Sequence, residues 1–493
     1  MRLLYVDIDT LRADHLGCAG YPRDTTPNID ALAADGIRFA DVYASDVPCL
    51  PSRTALATGT FGIRNGVVTH GGAAADLRSQ GRDRGFTSVF AAKAWATQFY
   101  AAGWHTASIS SFPFRHSASW WNHGFMEAMN LMRGFGGERA DEVLPGALDW
   151  LERNGRRDDW FLHVHFWDPH TPWDAPGDFG DPFADDPIPD WYSEEVRAAH
   201  WELPGAHSAQ ELTGFDLDQW GWGRRFPRQT LAIPDMAAVK HMFDGYDTGV
   251  RYADAAVGTI VDRLEALGVL DETAILVSTD HGEGFGELGV YADHQAADEA
   301  TCHIPAVLRW PGLAPRVVDG LLYHLDLGAT VVDLAGIEVP VEHWDGRSVA
   351  TELRAGATSV GRDHLVVSQG AWSCQRSVRW GDHLYASTSH DAFHGWPDEM
   401  LFDVVSDPHE QHDLTAERPA LVAEGRELLA SWTSDQLARS FTPVDPMDVV
   451  MAEGGPFHCR GELPGYLDRL RATGRGAWAD RLAERYQLTA MAV

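Results

Sequence analysis

Apolar runs of strand length, each followed by a stretch of helical periodicity, constrain this chain more tightly than any other feature. The first occupies residues 3–8 and gives way at Asp9 to a turn, then to a helix starting near Thr26, Pro27 and Asn28, where a polar cap precedes a first-turn proline. Further runs fall at residues 106–109, 160–166, 274–278 and 304–309, with helical patterns at 88–102, 142–152 and 235–267 between them. Strands that are apolar throughout are covered on both faces, so the alternation predicts an α/β fold with a mostly parallel central sheet sandwiched by helices. Ligands of such sheets bind beyond the carboxyl ends of the strands. Asp9 and Asp280 fall there, at the ends of two separate strands.

Two stretches break the pattern. Residues 174–232 are irregular and rich in Asp, Pro and Trp, too long for a simple connection, and are expected to form an insertion and a candidate substrate-side lid. Within it, Trp191, Trp201, Trp220 and Trp222 suit either packing onto the main body or stacking against a sugar ring. Beyond residue 358, short runs at 365–368, 376–380 and 383–387 predict antiparallel strands, and residues 419–437 a helix. The expected organisation is a domain of residues 1–358 and a smaller C-terminal α+β subdomain, residues 359–493, containing a short antiparallel sheet.

A chain of 493 residues with 44% hydrophobic residues and 19 tryptophans can bury a large core. Its formal net charge of −33 repels nucleic-acid phosphates and anionic lipid, so neither nucleic acid nor membrane is expected as a partner. No apolar run reaches membrane-spanning length, and the opening from Met1 to Asp7 lacks the apolar core and small-residue cleavage site of a signal peptide. Cys18, Cys49, Cys302, Cys374 and Cys459 are scattered, with neither zinc spacing nor a disulfide framework. Together these predict a cytoplasmic protein. Lys93 and Lys240 are the only lysines, so fixed positive charge at a site for an anion has to come from arginine, histidine or a metal ion.

Several short motifs carry reactive groups. Cys49-Leu50-Pro51-Ser52-Arg53 opens a stretch with few helix breakers, which places Cys49 at a helix N-terminus, where free backbone amides attract anions. Taken alone, Cys49 also reads as a buried structural cysteine. His170, in Pro169-His170-Thr171-Pro172, follows a strand end, and Asp280-His281 follows another. Asp7 shares a strand side with Asp9, as a further ligand or as a carboxylate capping a loop. His70 is followed by Gly71 and Gly72, a composition that suits close backbone approach and equally a plain turn.

These motifs stand in the order in which formylglycine-dependent sulfatases carry them, and across nearly the whole chain the sequence resembles that family of the alkaline phosphatase superfamily. The resemblance implies an alkaline phosphatase-like fold and a sulfuric ester hydrolase. A formylglycine-generating maturation enzyme would oxidise Cys49, and the hydrated aldehyde would attack the sulfur of a small-molecule or saccharide sulfate ester, sulfate then leaving by elimination. The resemblance makes Arg53 the group that orients this nucleophile and neutralises sulfate, and His170 a sulfate contact. It places the metal on Asp9, Asp280, His281 and position 49, with Asp7 a candidate where Thr10 replaces a second aspartate. Such ligands favour Ca2+, with Mn2+, Mg2+ and Zn2+ as alternatives. Many members carry Gly-Lys-Trp-His where this chain reads Ser110-Ser111-Phe112-Pro113-Phe114-Arg115-His116. Arg115 or His116 is then the candidate to replace the missing cation, His70 a further substrate contact, and His294, or His116, the donor to the leaving alcohol. The alternatives are a phosphonate monoester or phosphodiester hydrolase of the same superfamily and a non-catalytic protein that binds sulfated glycans; the ester and the oligomeric state stay open.

Overall fold

The computed structural model describes residues 1–78, 89–131, 137–215 and 221–486. Its larger sheet has nine strands, in the order Arg316–Val318, Ile37–Tyr43, His303–Arg309, Thr273–Ser278, Arg2–Ile8, Trp160–Phe166, His105–Ile109 and Glu127–Met129, with Leu322–Tyr323 also paired to Ile37–Tyr43. Pairing is parallel except around His303–Arg309, which runs against both of its neighbours. The apolar pattern foresaw that strand but not its direction, because pattern reports burial and is blind to polarity.

Every residue of Arg2–Ile8 is buried, and the strand's alternation divides two cores. Leu3 and Tyr5 join Trp95, Phe161 and Leu276 on one face of the sheet, while Leu4, Val6 and Ile8 join Leu162, Val164 and Phe243 on the other. Each such side chain, fully withdrawn from water, contributes about 1.5–3 kcal/mol. The second face is covered largely by the helix Met236–Ala266, which Asp235 caps by accepting from Ala238 N at 2.9 Å. Val239, Phe243, Tyr246, Val250, Val257, Ile260 and Leu264 form its buried stripe at helical spacing. The pattern at 142–152 is the helix Ala140–Asn154. That at 88–102 is two helices, Val89–Ala92 and Trp95–Ala101, and Ser88 lies outside the described residues.

The insertion is less irregular than its composition predicts, holding the helices Glu194–Trp201 and Trp222–Arg225. Trp191 stacks on His409 with ring centroids 3.9 Å apart, and Trp201 packs against the second core, so both serve packing; Trp220 lies outside the described residues. A second sheet orders Glu399–Asp403, His383–His390, Cys374–Trp380 and His364–Gln369 antiparallel, the short C-terminal sheet the sequence predicts. It also recruits Asp46–Val47, parallel to His364–Gln369, from far earlier in the chain. The helix Pro419–Arg439 lies over this sheet, with Val422 packed on Tyr385 and Leu401. Among the described residues no helix is long and apolar enough to cross a membrane.

Candidate active site

Cys49 begins a buried helix, Cys49–Thr58, laid against the carboxyl ends of the central strands. Such a polar helix can be buried because its hydroxyls are satisfied: Thr54 and Thr58 donate to Leu50 O and Thr54 O, and Ser52 Oγ donates to Asp280 O at 2.6 Å. Pro51 falls in the first turn, where a missing N–H costs nothing. Gly59 ends the helix at φ +67°, and a Cβ there would lie 2.4 Å from the Trp344 ring.

Opposite Cys49, Asp9 and Asp280 leave the ends of adjacent parallel strands. After them the chain passes so close to Ala300 O that a Cβ on Gly282 would lie 2.0 Å from it, which restricts that position to glycine. One ligand atom each from Asp9, Cys49, Asp280 and His281 falls within 4.8 Å of the others, and all four residues are buried. Cys49 Sγ is 3.2 Å from His281 Nε2, whose ring is fixed by Nδ1 donating to Gly282 O at 2.8 Å, so that the Nε2 lone pair faces the cluster. Asp9 Oδ1 is buried with no hydrogen-bond partner among the described residues. A carboxylate oxygen left unmatched beside an imidazole lone pair is what a divalent cation would satisfy, so the residues fit a metal of the calcium, magnesium, manganese or zinc type.

Arg53 lies beneath, 1% exposed. Its Nε and Nη2 donate to the two oxygens of Asp7 at 2.8 and 3.1 Å, while Nη1 is 2.5 Å from Asp280 Oδ2 and 3.1 Å from Asp9 Oδ2. Asp7 therefore does not join the ligand cluster as anticipated; both its oxygens face Arg53. Burial alone would raise the Asp7 carboxyl, but Arg53 outweighs it and holds the group below the ordinary carboxylate range. Asp280 is pushed up to about 6 by burial, against Arg53 and with Asp9. The Cys49 thiol is raised well above its usual value by burial, then by Asp9 and Asp280, so with the protein's own charges alone it is a poor nucleophile.

The remaining expected residues form a wall around a cavity of about 1030 Å³ that opens on Cys49: His70, Arg115, His116, His170 and His294 all line it. His170 Nδ1 donates to Thr171 O at 2.6 Å, its ring centroid lies 5.3 Å from that of His294, and burial, then His294 and Arg115, keeps it uncharged. The Arg115 guanidinium carbon sits 3.8 Å from the centre of the Trp167 ring. His294 stands 3.5 Å from Glu283 Oε1 and 3.6 Å from Asp293 Oδ1; burial lowers it and Asp293 opposes.

Several residues escaped the sequence reading. His163 and His165 alternate on Trp160–Phe166, held by Ser108 and Ser110 on one side and facing Asp7 and Asp9 at 3.5 and 3.1 Å on the other. Their period-2 spacing opposite Asp7 and Asp9 was a usable signal. Glu283 is buried, and among the described residues neither of its oxygens has a hydrogen-bond partner. His207 of the insertion pairs with Asp293 at 2.8 Å. Trp372, Phe457, His458 and Glu462 complete the wall from the C-terminal region, and no local pattern marks them.

A sequence model of the Sulfatase family matches residues 2–337. The sulfatase YidJ of Escherichia coli (strain K12) is 26% identical over 436 residues, covering 83% of this chain and 82% of its own. A solved structure in complex with its substrate D-glucosamine-2-N,6-O-disulfate superposes with TM-score 0.70 at 18% identity, over 88% of this chain and 98% of that one. The phosphonate monoester hydrolase of Agrobacterium radiobacter superposes with TM-score 0.67 at 21% identity, over 88% and 96%.

Proposed function

Because the chain belongs to the sulfatase family, we propose that it hydrolyses sulfate esters, with sulfated saccharides as substrates and position 49 as the nucleophile after oxidation to formylglycine. The observation that carries this reading is the placement of Cys49 at a helix N-terminus, within 4.8 Å of ligand atoms of Asp9, Asp280 and His281, at the opening of the large cavity. A saccharide is supported by the cavity's size and by the aromatic side chains of Phe215, Trp372 and Phe457 in its wall. The neighbour bound to a disulfated glucosamine agrees with this.

Asp9, Asp280, His281 and position 49 would hold a divalent cation, which supplies Lewis-acid stabilisation of charge on the sulfuryl oxygens. Formylglycine supplies a hydrated aldehyde whose oxygen is a nucleophile at neutral pH. The chain's own residues do the rest. Arg53, anchored on Asp7, fixes the positions of Asp9 and Asp280 through a rigid fork of donors. Arg115, resting on Trp167, presents donors to the sulfate, and His170, held by Thr171 O through Nδ1, turns Nε2 toward it and donates from there once the arriving anion favours the protonated ring. His294 gives its proton to the departing alcohol: an arriving anionic ester favours the charged ring, and burial makes that ring a ready donor. His70 and His116 line the cavity beside position 49, where each contacts the ester, as a donor only when its ring is protonated.

The second reading, a phosphonate monoester hydrolase, is favoured by the neighbour with TM-score 0.67. The deciding experiment pairs peptide mass across Cys49 with release of free sulfate from sugar and aryl sulfates, set beside phosphate and phosphonate monoesters. Formylglycine with faster sulfate release supports the proposal. Faster turnover of phosphonates selects the second reading, and an unmodified Cys49 in an active enzyme sinks the formylglycine mechanism.

A further inference from the structure

The sulfur of Cys49 has a second face. Asp9, Asp280 and His281 approach it from the strand ends, whereas His70 and His116 approach from the wall, one ring nitrogen of each lying within 4.8 Å of the other and of Cys49 Sγ. His70 Nδ1 is engaged with His458 Nε2 at 3.0 Å, which leaves Nε2 as its free nitrogen. Nε2 of His70 and Nε2 of His116 are both buried and, among the described residues, have no hydrogen-bond partner. An uncharged imidazole has one lone pair, and the unpartnered Nε2 of each ring is the nitrogen placed to present it. Two imidazoles and one sulfur at this spacing form the ligand set of a zinc site with an open fourth position. The carboxylates on the other face instead suit a hard cation.

We propose that the chain with Cys49 unconverted carries a second cation site, for an ion of the zinc type, made of Cys49 Sγ, His70 and His116. Binding forms one sulfur–metal and two nitrogen–metal bonds and releases the thiol proton to solvent, with no change of oxidation state. The ion lies where an ester must enter, so its occupancy excludes substrate. Conversion of Cys49 removes the sulfur and with it the site; this last clause rests on the formylglycine reading. His458 is the positioning residue, because its contact fixes which nitrogen His70 presents.

The test uses full-length protein shown by peptide mass to retain Cys49, saturated with calcium and then dialysed against zinc, or against cobalt as a spectroscopic substitute. One zinc per chain beyond the calcium content is expected, with a near-ultraviolet sulfur-to-cobalt charge-transfer band. His70→Gln and His116→Gln each weaken zinc at least about tenfold, and His458→Ala, which touches no metal, weakens it roughly 10- to 100-fold. Asp280→Asn keeps both the zinc and the band. The proposal is overturned by absence of zinc above the calcium content. It is equally overturned by a band unchanged in both histidine variants but lost with Asp280→Asn, which would put the ion on the carboxylate face. Circular dichroism confirms that each variant is folded, and the wild-type cobalt spectrum decides the sulfur ligand should one fail to fold. Protein with formylglycine at position 49 is expected to lose the zinc, and retention would overturn the dependence on conversion. Failure of every host to yield formylglycine would count against the catalytic reading alone, since the cysteine form decides the site.

Discussion

The floor of the cavity and its wall are built by opposite means. The floor, with Asp7, Asp9, Arg53, Asp280 and His281, is carried by strand ends and one helix packed on the central sheet, and Arg53 ties its three carboxylates together within a few ångströms, leaving Asp9 Oδ1 for a cation. The wall takes His70, Arg115, His116, His294, Trp372 and His458 from loops and single-turn helices spread across the chain, and several of its polar atoms are left unmatched. The floor is thus committed by folding itself. The wall keeps donors and lone pairs in reserve for a ligand, which is where choice between substrates resides.

That contrast can be broken experimentally, the largest effect coming from the floor. Cys49→Ala is expected to lower sulfate release by about 10⁴-fold or more with the unfolding transition unchanged, measured by turnover and thermal denaturation. Retention of activity would remove the nucleophile from position 49. Next, Arg53→Met leaves Asp7, Asp9 and Asp280 buried without their cation, and urea unfolding should show a loss of about 3–5 kcal/mol; a neutral result would mean the carboxylates are already matched by something else.

From the wall, His294→Gln should cost about 10²–10⁴-fold in kcat for sugar sulfates and much less for aryl sulfates, whose leaving groups need no proton. An equal loss on both would make His294 a binding group and not an acid. A smaller effect concerns His207 and Asp293. Burial lowers His207 but Asp293 outweighs it and raises the ring, while His207 in turn holds Asp293 below the carboxylate range. The raised imidazole stabilises the fold below about pH 6.5 and loses that contribution as pH rises through its folded value; the depressed carboxylate stabilises above about pH 3.9 and loses it as pH falls through its own. Their pairing is fullest between these limits, so His207→Gln should cost roughly 1.5–3 kcal/mol near pH 5 and less at pH 9. A gap that does not change with pH would refute the ionic pairing. Smallest, Trp372→Ala should raise KM several-fold, about 1 kcal/mol, and leave kcat unchanged.

What the sequence revealed follows the same division. The strand at residues 3–8 was legible because every side chain in it is apolar until Asp7, and Asp280 because it ends another such run. Strand ends and a helix start located Asp9, Asp280 and Cys49 singly, and it was the resemblance to sulfatases that implied their grouping with Arg53 and His281. Asp7 stayed open between ligand and cap because period-2 alternation says which side a carboxylate takes but not which cation it meets. His458 and Trp372 were invisible: they belong to the site only because the chain beyond residue 358 folds back over it, and nothing local records a contact 388 residues long such as His70 with His458.

Asp46–Val47, two residues before Cys49, is a strand of the second sheet through its pairing with His364–Gln369. On a ribosome adding about 5–20 residues per second, the partner strand is made roughly 15–60 s after this segment. For that interval the neighbourhood of Cys49 has no anchor on that side, whereas in the finished protein the side chain is 1% exposed. If position 49 is oxidised as proposed and the reaction needs an accessible cysteine, the modifying enzyme would work against a clock set by the length of the intervening chain. A slower ribosome, or a later partner strand, lengthens its opportunity.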